Sequence, residues 1–129
     1  MKYQDIKNGR FYLGDCLEVM KEIPDGTIDM ILCDLPYGIT ACTWDTVIPF
    51  EELWKQYNRI CKENAAMVFT AVQPFTTALI ASNIKNFRYD WIWVKNGVTN
   101  FANAKKCRFA IMKASSCFIE RLVYTIHKV

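Results

Sequence analysis

Residues 28–33, Ile-Asp-Met-Ile-Leu-Cys, form a nearly unbroken apolar run that stops at Asp34-Leu35-Pro36-Tyr37-Gly38. A short apolar run closed by proline and glycine predicts a strand covered on both faces, as in a parallel sheet. Parallel strands need helical crossovers, and the flanking sequence supplies them. Phe11-Tyr12-Leu13 reads as a first strand closed by Gly14-Asp15. Leu17, Met20 and Ile23 follow at helical spacing, and Pro24-Asp25-Gly26 ends that segment. Phe50, Leu53, Trp54, Tyr57, Ile60 and Cys61 mark an amphipathic helix. Met67 to Val72 is a further strand, Thr76 to Ile84 a further helix, Tyr89 to Val94 an aromatic strand, and Lys95 to Lys106 a polar loop. The order β-α-β-α-β-α-β predicts an α/β fold, a parallel sheet with helices on both faces. Ligands of such sheets sit at the carboxyl ends of strands, where Asp15, Asp34 and Gln73 all fall.

A chain of 129 residues builds one core, and 52% hydrophobic with 22% charged residues suits a soluble globular protein. No apolar run approaches the roughly 20 residues of a membrane span. The start, Met-Lys-Tyr-Gln-Asp, lacks the apolar centre of a signal peptide. The six cysteines form no C-x-x-C pair, and the one histidine, His127, lies far from any ligand cluster. Zinc is not expected; buried free thiols in a cytoplasmic protein are. Charge is unevenly placed. Residues 1–94 hold 9 Lys/Arg and 12 Asp/Glu, a net −3, whereas residues 95–129 hold 7 Lys/Arg and 1 Glu, a net +6. A basic end points to a polyanion or to a solvated tail.

The turn after residue 33 carries the chemistry. The Asp34 carboxylate and the Leu35 carbonyl can accept two N–H hydrogen bonds, Pro36 stiffens the turn, and Tyr37 offers a ring that stacks. These parts suit reaction at the exocyclic amine of a flat base. The segment resembles the Asp-Pro-Pro-Tyr motif of amino-methylating DNA methyltransferases, with Leu35 in place of the first proline. The role of that position is served by a backbone carbonyl, so the change leaves the chemistry possible while altering turn rigidity.

The resemblance extends over residues 11–106, which look like the first half of phage- and restriction-type site-specific DNA methyltransferases of the permuted class, where the catalytic motif comes first. Gly14-Asp15-Cys16-Leu17 resembles the family's Gly-Asp-x-Leu opening. By that resemblance Asp15 approaches the adenine amino group of S-adenosylmethionine, and Asp34 borders the same cofactor; the plain structural use of Asp15 is a helix N-cap. Trp91-Ile92-Trp93-Val94-Lys95-Asn96 resembles the family's late strand and the start of its target-contacting loop. Trp91 and Trp93 read as core. Lys95, Asn96, Lys105 and Lys106 are the residues for double-stranded DNA, the lysines on phosphate. An aspartate at the motif's first position resembles the adenine-N6 branch more than the cytosine-N4 branch. A bacterial or phage-encoded protein of restriction-modification type is implied.

The resemblance then stops. The family's second half holds a Phe-x-Gly-x-Gly turn for the methionine part of the cofactor. The glycines here are Gly9, Gly14, Gly26, Gly38 and Gly97, and no two form G-x-G. The expectation is an incomplete Rossmann-like methyltransferase domain over 1–106, whose open sheet edges invite pairing with a second copy. After Lys105-Lys106 the family continues Met-Pro-Leu, then His-Glu and an apolar strand, whereas this chain reads Cys107-Arg108-Phe109-Ala110-Ile111-Met112-Lys113. Shifting the frame so that the last adenine of the Lys106 codon joins the first two bases of the Cys107 codon makes the next residue Met and allows Pro after it. The same shift makes Met112-Lys113 yield Glu. Residues 107–129 thus read as an out-of-frame tail left by loss of one base in an adenine run, and their basic charge as accidental. Gene sequencing checks this: one restored base reopens a frame with a Phe-x-Gly-x-Gly segment, and the idea fails if no such frame appears.

Overall fold

The computed structural model describes residues 2–92 and 114–119, the latter and Ile92 by backbone alone. In chain order the elements are β1 (Lys2–Ile6), β2 (Gly9–Leu13), α1 (Cys16–Met20), β3 (Ile28–Asp34), α2 (Phe50–Ile60), β4 (Cys61–Thr70), α3 (Phe75–Ser82), β5 (Phe87–Ile92) and β6 (Ala114–Ile119). The main sheet runs β3-β4-β6-β5. Strands β3 and β4 are parallel, with Asp34 opposite Thr70 on the last rung. Strand β6 lies antiparallel between β4 and β5, so β5 runs in the same sense as β3 and β4.

Two features depart from the sequence expectation. The first strand is not part of the main sheet. It pairs with β1 in a separate antiparallel hairpin, Ile6 opposite Gly9, across the two-residue connection Lys7-Asn8. Secondly, β3 is not covered on both faces. Among the described residues, Ile28, Ile31 and Cys33 pack against the core, while Met30 and Leu32 on the opposite face are 52% and 71% exposed. Trp91, expected in the core, is 51% exposed. Residues 114–119, within the segment read as an out-of-frame tail, form β6.

One core cluster holds the elements together. Strand β4 alternates, with Ala65, Met67 and Phe69 buried, as period-two geometry requires of a sheet with one covered face. Helix α2 answers with Leu53, Trp54, Tyr57 and Ile60, a stripe at helical spacing. Phe69 has no exposed surface; the Trp54 ring meets it edge-on at 5.7 Å and the Tyr57 ring stacks on it at 5.8 Å. Helix α2 begins just after Pro49, carries Glu51 and Glu52 in its first turn and Arg59 in its last, the arrangement a helix dipole favours. Trp54 Nε1 donates to Ser82 Oγ at 2.8 Å, tying α2 to α3.

Arg59 fastens α1 to α2. Its guanidinium donates to the carbonyls of Met20 (2.6 Å) and Ile23 (2.8 Å) and pairs with Asp25. The Met20 carbonyl also accepts from Ile23 N–H, so the guanidinium adds a second bond at the end of α1 and ties the turn beyond it to α2. Gly26 N–H and Thr27 N–H bond to the carbonyls of Arg59 and Ile60, which sets where β3 begins.

Candidate active site

The site stands at the carboxyl ends of β3 and β4. Asp34 ends β3, and its side chain is exposed. The next residue, Leu35, turns inward and is buried in the core cluster. Its side chain anchors the turn and leaves only its backbone for a ligand. Tyr37 is half-buried, its ring tilted against Phe75 at 5.2 Å, and Phe75 in turn meets Phe50 at 5.8 Å. The Tyr37 hydroxyl donates to Asp34 Oδ1 at 2.5 Å and lies 3.0 Å from Thr70 Oγ1. Thr70 Oγ1 also donates to Asp34 Oδ1. Burial, and then the bond to Asp34, push the Tyr37 phenol up to about 12, so it stays protonated and a donor at neutral pH.

The loop after Tyr37 is held by a residue that sequence reasoning missed. Asp45 is buried, and its carboxylate accepts from the amides of Gly38 (2.8 Å), Ile39 (3.0 Å) and Thr40 (2.7 Å). The Thr40 hydroxyl and these amides hold its carboxyl down to about 2. Gly38 has φ +68°, and a Cβ there would lie 2.9 Å from Val47 Cγ2, so the position requires glycine twice over. The Gly38 turn is legible in sequence; the acid that fills it, seven residues on, follows no local pattern.

The other candidates divide. Asp15 serves as the N-cap of α1, its carboxylate accepting from Leu17 N–H at 2.8 Å. The adjoining Cys16, exposed overall, has its thiol raised by partial desolvation and, in smaller part, by Asp15 and Cys33. Gln73 folds back on α3, its Oε1 accepting from Thr77 Oγ1 at 2.8 Å and from Thr77 N–H at 3.3 Å. Lys95, Asn96, Lys105, Lys106 and Trp93 lie outside the described residues. The expectation of buried thiols holds for Cys61 alone of the four whose side chains are described; Cys33 is half-buried and Cys16 and Cys42 are exposed. Among the described residues no cluster of metal ligands occurs and no helix is long and apolar enough to cross a membrane.

No protein-family model matches the chain. Its fold does match a solved structure, PvuII DNA methyltransferase (cytosine-N4-specific), with a TM-score of 0.60 and 14% identity over 84% of this chain and 47% of that one. The chain shares the fold of that structure over most of its own length. It is α/β and an incomplete Rossmann-like form of the S-adenosylmethionine-dependent methyltransferase architecture, spanning about half the length of that neighbour. The described residues do not build a complete seat for that cofactor: their four glycines fall in the hairpin, before α1, in the α1–β3 turn and beside Asp45, and none forms a G-x-G cradle.

The Asp45 clamp has a pH signature. Its folded carboxyl titrates below the usual 3.8, so its stabilising contribution is complete above about pH 4 and is lost as pH falls toward 2. Urea midpoints at pH 7, 4 and 2 should therefore fall for the unchanged chain over the last interval. Asp45→Asn should start lower at pH 7 and lack that component of the drop; parallel curves would remove the assigned cause.

Proposed function

We propose that this chain is the catalytic-motif half of a site-specific DNA adenine-N6 methyltransferase, a bacterial or phage-encoded cytoplasmic protein of restriction-modification type, weak or inactive alone. The observation that carries the reading is the Asp34-Leu35-Pro36-Tyr37 turn at the end of a parallel strand in a DNA-methyltransferase fold. An exocyclic amine is a poor nucleophile because its lone pair is delocalised into the ring. Two acceptors, the Asp34 carboxylate and the Leu35 carbonyl, would bond both N–H groups and favour the pyramidal nitrogen of the transition state. The target base must leave the duplex to reach them, and Tyr37 would stack on it there. Pro36 keeps the two acceptors in register, which counts because much of the rate lies in alignment.

S-adenosylmethionine would supply the methyl group when bound. Asp15 is the residue here that would approach it, and the missing glycine cradle is why turnover is expected to be slight. Lys95, Asn96, Lys105 and Lys106 would meet the DNA. Residues 107–129 are, on this reading, a frame-shifted tail. Incubation of high protein concentrations with labelled S-adenosylmethionine and mixed-sequence duplex, followed by nucleoside mass spectrometry, should give traces of N6-methyladenine that vanish in Asp34→Ala. Methylation that persists in that variant refutes the role of Asp34; N4-methylcytosine as the product overturns the choice of base.

A second reading has its own observation. Met30, Leu32 and Trp91 lie exposed on the uncovered sheet, and β3 is an edge among the described strands. A non-catalytic methyltransferase remnant that self-associates, or binds DNA weakly, fits such a surface. On this reading light scattering from the purified chain gives dimers or larger species, with no methylated product; a folded, strictly monomeric chain eliminates edge pairing.

A further inference from the structure

We propose that Thr70 is a positioning residue for the Asp34 carboxylate, a role that deepens the methyl-transfer reading and rests on it. The two residues share the last parallel rung, so their side chains leave the sheet on one face at one height. Thr70 Oγ1 and the Tyr37 hydroxyl both reach Asp34 Oδ1, and the two hydroxyl oxygens are 3.0 Å apart. Three oxygens are mutually close, yet the two hydroxyls bring only two hydrogens. At most two of the three contacts are hydrogen bonds at once. When Asp34 is ionised, charge-assisted bonds are the stronger choice, so both hydrogens turn to the carboxylate.

The two donors differ in rigidity. Thr70 is β-branched, and its χ1 is stiff. It sits on β4, which is paired on both sides, by β3 and by β6 opposite Ser115. Tyr37 stands on the loop beyond the sheet, its ring packed on Phe75. Thr70 is therefore the fixed donor that selects one Asp34 rotamer, and Tyr37 is the donor able to leave when a base enters. A carboxylate already aimed needs no reorientation as charge develops on the amine. Nothing in the sequence marks Thr70, which is 36 residues from the acid it holds.

The test reads the rotamer directly and needs no turnover. Three-bond couplings from the backbone nitrogen and carbonyl carbon to Asp34 Cγ report χ1 populations in the isotope-labelled full chain. The unchanged chain, Thr70→Ser and Tyr37→Phe should each show a single staggered well. Thr70→Val should give values averaged over several wells, with the methyl spectrum of Leu53 and Leu79 unchanged. If Thr70→Val does not fold, Thr70→Ala takes its place. A single rotamer retained without the Thr70 hydroxyl overturns the proposal, as does averaging in Tyr37→Phe. Asp34→Ala in the methylation assay tests the enzyme reading separately, so either idea can fail alone.

Discussion

The candidate site depends on how Phe69 is held. The ring has no access to solvent and is gripped by Trp54 edge-on and Tyr57 face-on, both from α2. That contact fixes the height and tilt of the end of β4, and the parallel ladder passes the same constraint to β3. Thr70, one residue beyond Phe69, then has no choice but to point to the other face, toward Asp34. On the β3 side, Leu35 does the equivalent work. Its side chain is buried directly after the acid, so burial supplies stiffness that a proline ring would supply in the related motif. A leucine at this place is a different means to an immobile turn.

Outside the core, order comes from polar groups that close backbone ends. Arg59 gathers the carbonyls of Met20 and Ile23, and Asp45 gathers three successive amides. Each brings a charged partner to backbone groups of a turn. Together they fix the segments entering and leaving β3. The same strand is thereby clamped at its start by a cation and after its end by an anion.

Much of this was legible in the sequence where burial is periodic. The stripe Leu53, Trp54, Tyr57 and Ile60 announces α2, and the helix spans Phe50–Ile60. The apolar run and its Pro-Gly ending announce β3 and the turn. What escaped has physical causes. The β1–β2 hairpin is exposed along its whole length, so no burial pattern marks it. The one-sided cover of β3 was unreadable because an apolar run says that a strand can be covered, not by what. Asp45 and Thr70 matter through partners that only folding brings near. The Lys95, Asn96, Lys105 and Lys106 expectation concerns residues beyond those described.

The hairpin has a last implication. Its packing is almost wholly internal, and a lone two-stranded ribbon holds together only marginally in water. Its melting would cost the rest of the molecule little, because Asp15 starts α1 afresh with its own cap. The first dozen residues are in that sense a detachable handle. A fluorophore or purification sequence grafted at Lys7-Asn8 would ride on the protein without disturbing the acid at the mouth of β3.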